Sequence, residues 1–341
     1  MISRTSSEGG RIPACLDYDS YYSNDSVIIA TKWSERILEH QKPKNEWKVS
    51  DSKDSYSMQY IAGLINSSLL SYYFTNFYAT DTLQGTYSSI YPEDVRNLPI
   101  RRIEKDNKQK EEIIVKKVRL IMNKKSQASK INLNIEDYLG KYTFGKKLGD
   151  LYTPIKGLSE SIFIETTADK ENLRIARIAF EEDNGLILKL SARFKPVNKQ
   201  EFDDLDYWGY KETDFIPVMK FSVDGKMKVL IREFTKLAVD KANGFANFRK
   251  NATKSTSLID RLEQLTLPKL EDVESGLRKY IEQKERSEEL KEEIYNIDIL
   301  IDAIVFKLYK LDDDEVKVIL LSLDIKEKIR EDIIEKFRGI E

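Results

Sequence analysis

The chain has 341 residues, of which 56 are Lys or Arg and 58 are Asp or Glu, so the net charge is −2 and a globally basic nucleic-acid binder is excluded. That length corresponds to about two domains, and 40% hydrophobic residues supply a core and exclude wholesale disorder. One cysteine, Cys15, and one histidine, His40, exclude an internal disulfide and a Cys/His zinc site.

Three stretches of different texture follow one another: 1–130, 131–255 and 256–341. The first is rich in Ser, Tyr and Asn. Asp19 to Asn24 reads as a turn and Val27 to Ala30 as a short strand. Residues 41–56 read as a loop. From Met58 to Tyr73 the apolar positions Tyr60, Ile61, Leu64, Ile65, Leu69, Tyr72 and Tyr73 recur at three and four, which predicts one helix. Gly85 to Tyr91 is expected as loop or strand, and Pro92 to begin a turn or short helix. Leu98-Pro99-Ile100 should be extended, because the residue before proline avoids the helical region. An amphipathic helix is predicted over 110–125, with Ile113, Ile114, Val118, Leu120 and Ile121 as its apolar positions.

The second stretch mixes strands and turns. Ser161 to Thr166, Arg174 to Phe180 and Gly185 to Phe194 read as strands. Asp183-Asn184-Gly185 supplies the positive φ that a tight hairpin requires. Asp224-Gly225 suggests another turn. Asp203 to Phe215 is acidic and aromatic, and no chemistry attaches to it from sequence. The third stretch is helical. Ile294, Ile297, Ile301, Ile304, Val305 and Leu308 form a packing seam, with the charged run Lys284 to Glu293 expected to interrupt it.

The near-zero total hides a separation of charge. Arg101 to Lys130 holds eleven basic and four acidic residues, a net of +7, and Lys241 to Lys254 holds four basic residues and no acid. Residues 257–341 carry a net of −8. A basic segment beside Tyr, Asn, Gln and Ser suits phosphate contacts together with base-edge hydrogen bonds. The fourteen glycines contain no G-x-G, so neither a dinucleotide fingerprint nor a P-loop is present. The acidic run Asp312 to Glu315, with Asp324 and Lys326 downstream, is expected as a solvated face or helix cap rather than a metal-nuclease site. No apolar run long enough for a signal peptide precedes Ser20, and no stretch of about 18 apolar residues occurs. The expectation is a cytoplasmic protein without a membrane segment.

The run Tyr60-Ile-Ala-Gly-Leu-Ile-Asn-Ser-Ser-Leu-Leu-Ser-Tyr-Tyr-Phe74, followed by Leu98-Pro-Ile100, resembles the TaqI-like C-terminal specificity domain. That domain is the target-recognition part of type II and type IIG adenine-N6 DNA methyltransferases and restriction–methyltransferase fusions. Ala14 to Tyr22 is similar to the segment that enters this domain, and Ile301 to Leu311 with Asp314-Glu315 to the C-terminal tail of the same enzymes. The resemblance covers 1–125 and about 295–320. Ser68 stands where the family commonly has Lys, and Arg101 follows Ile100 in place of Pro.

The resemblance implies an α+β fold: a recognition domain over 1–130, a mixed continuation over 131–255 and a helical region over 256–341 that docks or packs. It implies double-stranded DNA as ligand. Thr82, Gln84, Thr86 and Tyr87 are the candidates for base edges, because amides and hydroxyls can pair in the major groove. Arg101, Arg102, Lys124 and Lys125 are the candidates for phosphates. Leu64, Leu69, Tyr72 and Phe74 are expected in the core, with Asn66 and Ser67 holding the fold together. The family's adenosylmethionine loop, F-x-G-x-G, and its N-P-P-Y-type tetrapeptide are both missing. The expectation is a specificity module without catalytic residues of its own, with S-adenosylmethionine bound on a methyltransferase catalytic subunit or domain. The alternatives are a type I-like specificity subunit and an unrecognised metal-dependent nuclease.

Overall fold

The computed structural model describes residues 1–7, 10–18, 24–30, 56–79, 82–83, 87–166, 170–197, 204–223, 225–246, 256–323 and 325–340. The fold is α+β. In chain order the elements are β1 (Ile2–Ser3), β2 (Val27–Ile28), α1 (Met58–Ile65), α2 (Ser68–Phe77), β3 (Thr82–Leu83), β4 (Tyr87–Ser88), α3 (Pro92–Arg96) and α4 (Lys108–Ala128). Then come α5 (Glu136–Leu139), β5 (Phe144–Lys147), β6 (Tyr152–Pro154), β7 (Lys170–Glu182), β8 (Leu186–Pro196), β9 (Lys211–Glu212) and β10 (Ile216–Phe221). The helices α6 (Gly225–Lys241) and α7 (Leu258–Glu263), the strand β11 (Thr266–Pro268), and α8 (Leu270–Leu308), α9 (Asp313–Ser322) and α10 (Glu327–Arg338) complete the chain.

Two compact units emerge. One comprises Met1–Lys130 with Glu288–Glu341, the other Ile131–Ser287. The helix α8 contributes its first half to the second unit and its second half to the first.

The first unit is mostly helical. Tyr60, Leu64 and Ile65 of α1 and Leu70 and Phe74 of α2 share a core with Ile114 and Val118 of α4 and with Ile301, Ile304, Val305 and Leu308 of α8. A second cluster gathers Phe306 of α8 with Val316, Ile319 and Leu320 of α9 and Ile333 and Phe337 of α10. The helix α1 crosses α4 at Gly63, where an added Cβ would stand 2.7 Å from Ile114 Cγ2. The acidic run after α8 is a cap: Asp312 Oδ1 accepts the N–H groups of Asp314 and Glu315, and Glu315 accepts the Asp312 N–H.

The second unit is built on an antiparallel sheet with strand order β6-β10-β8-β7, in which β9 also pairs with β8. Leu186, Leu188, Leu190, Ala192 and Phe194 of β8 are buried at every second position, the period of a half-buried strand. They pack with Leu230, Ile231 and Phe234 of α6 and with Val273, Leu277 and Tyr280 of α8.

Several sequence expectations are corrected. Met58 to Tyr73 is two helices, because the Ser67 hydroxyl accepts the Leu70 N–H and caps a new helix. Ser161 to Thr166 is not a strand: Ile162–Ile164 forms a 3-10 turn, and the Ser161 hydroxyl turns back to the Leu158 carbonyl. The charged run Lys284 to Glu293, expected to interrupt the apolar seam and not the helix, lies within a continuous α8, since Lys, Glu, Arg and Leu are strong helix formers. Gly225 opens α6, while Asp224 lies outside the described residues. Most of the 41–56 loop, of the Asp19–Asn24 turn, and of the basic run Lys241 to Lys254 past residue 246 also lies outside them.

Candidate nucleic-acid interface

The Asn66-Ser67-Ser68 turn between α1 and α2 holds the first unit together. Asn66 Oδ1 accepts the Ala14 N–H at 3.1 Å, and Nδ2 donates to the carbonyls of Ala14 and Ala62 at 2.9 and 2.8 Å. One side chain thus replaces a strand partner for the segment around Ala14 and closes the end of α1. Ser67 donates to Leu64 O at 2.6 Å. The side-chain polar groups of Asn66, Ser67 and Ser68 are all engaged within the fold.

Ser68 leads to a buried charge cluster. Its N–H and its hydroxyl both donate to the Asp302 carboxylate, each at 2.7 Å. Arg11 Nη2 donates to Asp302 at 2.6 Å and to the Ser68 hydroxyl at 2.8 Å, and Nη1 donates to Asp298 at 2.9 Å. The Asp302 side chain is only 2% exposed and that of Arg11 24%. Burial pushes the Asp302 carboxyl up, opposed by Arg11, while the guanidinium beside Asp302 is pushed further up. A cleft of about 420 Å³ opens beside this cluster, lined by Pro13, Leu16, Val118 and Met122 with Asn66 and Lys125 among its polar groups.

The Leu98-Pro99-Ile100-Arg101 segment is fixed by two tyrosines from opposite ends of the chain. The Tyr60 hydroxyl, on α1, donates to the Arg101 carbonyl at 2.9 Å. The Tyr309 hydroxyl, just past α8, accepts the Arg101 N–H at 3.1 Å and donates to the Pro99 carbonyl at 2.6 Å. Burial raises both phenols, that of Tyr309 to about 12. Asn107 holds the next turn, accepting the Glu104 N–H and donating to the Arg102 carbonyl. The backbone of Arg101 and Arg102 is therefore immobilised while their side chains remain on or near the surface. Arg102 is exposed; Arg101 is half-buried, with its Nε enclosed and lacking a hydrogen-bond partner.

From there the chain enters α4, whose solvent side carries Lys108, Lys116 and Arg119, with Glu112 among them. Lys124 is half-buried in an ion pair with Glu293. Lys125 is exposed at the cleft. Of the base-edge candidates, Thr82 and Tyr87 lie on β3 and β4, which pair antiparallel with Thr82 opposite Ser88 and Leu83 opposite Tyr87. Gln84 and Thr86, between these strands, lie outside the described residues.

The residues that build this site, Arg11, Tyr60, Asp302 and Tyr309, were not singled out as a set by sequence. One signal exists: Asp302 interrupts the apolar run Ile299 to Phe306, and a carboxylate on a buried helix face calls for a cationic partner. Among the described residues no group of three or more His, Cys, Asp or Glu side chains is placed to hold a metal ion. No helix there is long and apolar enough to cross a membrane. No protein-family model matches the chain, and no curated protein or solved structure was found to match it.

Proposed function

We propose that the chain is the DNA sequence-recognition part of a restriction–modification or adenine-N6 methylation system. In this reading it acts with a methyltransferase catalytic subunit or domain, which binds S-adenosylmethionine. One observation carries the reading: Tyr60, the first residue of the motif run, and Tyr309, in the tail motif, both bind the backbone of Arg101. The segments that carry the family resemblance thus meet on one element, and that element presents arginines beside the most basic stretch of the chain. A fixed backbone removes the main-chain share of the ordering cost when the guanidinium takes a phosphate oxygen, and its planar fork matches phosphate geometry.

In the proposed roles Arg101, Arg102 and Lys125 take phosphates, together with Lys108, Lys116 and Arg119 of α4. Lys124 is left out, because Glu293 already holds it. Thr82, Gln84, Thr86 and Tyr87 remain the candidates for base edges. Asn66, Ser67 and Ser68 have a structural part only.

The test is selection of the purified chain against a random duplex DNA library at two salt concentrations, with sequencing of the bound fraction. The reading expects one enriched motif and affinity that falls as salt rises. Absence of duplex binding at low salt contradicts it.

A further inference from the structure

The acidic, aromatic stretch that sequence left without chemistry forms a rigid turn in the second unit. Asp206 Oδ1 accepts the N–H groups of Trp208 and Tyr210 at 2.9 and 2.8 Å. The Asp206 N–H donates to the Tyr210 carbonyl and the Gly209 N–H to the Asp206 carbonyl, both at 2.8 Å. Asp206 Oδ2 is paired with Arg193 at 2.5 Å. These bonds make the turn without using the side chains at its apex. Those side chains are Tyr207 and Trp208, which are 92% and 70% exposed. Their rings are 5.0 Å apart and edge to face. Leaving rings of this size in water forgoes the burial that apolar surface favours. A turn locked by five polar contacts that nevertheless displays two such rings is preorganised for a ligand.

The surroundings narrow the class of ligand. The Arg193 guanidinium lies over the Tyr210 ring at 4.8 Å, and the Arg177 guanidinium over Phe215 at 5.0 Å. Flat rings and flat guanidinium groups therefore recur on β7 and β8 and on the approaches to β9 and β10. Asp204, Asp206 and Glu212 are paired with Lys211, Arg193 and Arg177, while Asp214 beside them is exposed. The apex itself offers π faces and no charged side chain. Unpaired bases are the ligands that stack on both aromatic rings and guanidinium planes.

We propose that the Tyr207–Trp208 turn is a stacking platform for an unpaired nucleobase. This goes beyond the duplex reading above, because it requires an unstacked base and no recognised sequence.

The experiment titrates the full chain into a short single-stranded oligonucleotide carrying one 2-aminopurine, following the base's fluorescence and the oligonucleotide's anisotropy. Stacking quenches the base. Trp208→Ala and Tyr207→Ala should each weaken binding by roughly five- to a hundredfold. Trp208→Phe, which keeps a ring, should retain most of the quench. Circular dichroism of each variant confirms that the exposed positions leave the fold intact. Arg101→Ala/Arg102→Ala, which tests duplex binding, should keep the Trp208-dependent quench, so the two readings fail separately. No quench with the parent chain, or a quench unchanged in Trp208→Ala, overturns the platform. Loss of self-association on Trp208→Ala, without a base effect, also overturns it and assigns the rings to a second copy of the chain.

Discussion

Asp302 on α8 accepts both the N–H and the hydroxyl of Ser68, the first residue of α2, across 234 positions of sequence. With Arg11 on the other side, one buried carboxylate joins the N-terminal segment, the motif helix and the tail helix. Removing one partner of such a pair strands the other, at about 3–5 kcal/mol. Asp302→Ala should lower the stability of the first unit by that amount, read by urea unfolding. Arg11→Ala/Asp302→Ala together should cost less than the sum of the single substitutions. Additive costs would show that the two side chains do not depend on each other.

Gly63 allows α1 to lie against α4. A Cβ there meets Ile114 Cγ2 at 2.7 Å and Val118 Cγ2 at 3.0 Å, and Ile114 is fully buried and cannot move aside freely. Alanine gains about 1 kcal/mol of helix propensity over glycine, against about 1–3 kcal/mol for overpacking. Gly63→Ala is therefore expected near neutral to mildly destabilising, and Gly63→Val clearly destabilising. A thermal melt of the two variants reads the order; a Gly63→Val chain as stable as the parent would contradict the crossing.

Tyr309 sets an alkaline limit. Its phenol moves from an ordinary value of 10.0 to about 12 because it is buried. A phenol raised in the folded state holds its proton more tightly there than in the unfolded chain. Its contribution is thus fully present below about pH 10 and is lost as the pH rises through about 12. Tyr309→Phe leaves the Arg101 N–H and Pro99 carbonyl without their partner, at about 1–3 kcal/mol. It should also flatten the fall in melting temperature between pH 10 and 12. An alkaline profile identical to that of the parent would remove Tyr309 from this role. The residual fall belongs in part to Tyr60, which burial also raises.

What the sequence made legible was local. Asp183-Asn184-Gly185 placed the hairpin, and Glu182 does face Leu186 across it, with φ of 44° at Asn184 and 137° at Gly185. An added Cβ at Gly185 would meet the Phe221 carbonyl at 2.6 Å, so the turn glycine is also a packing requirement. The amphipathic helix expected over 110–125 is α4, and the Asp312–Glu315 run is a cap. Ile162-Phe163-Ile164 misled because a short apolar run fits a buried turn as well as a strand. The tethers of the candidate interface were not legible, since Arg11 to Asp302 and Tyr60 to Arg101 to Tyr309 join residues that no periodicity or spacing relates. The residues of the motif turn proved structural, as expected of Asn66 and Ser67, and the same holds for Ser68.

The fixed Arg101–Arg102 element is proposed to face DNA phosphates. The most direct measurement is the salt dependence of duplex binding between about 50 and 200 mM salt, for the parent chain and for Arg101→Ala/Arg102→Ala. Each phosphate contact contributes about one unit to the slope of log affinity against log salt. The double variant should bind more weakly to every duplex, with a slope shallower by about two. An unchanged affinity and slope would contradict it.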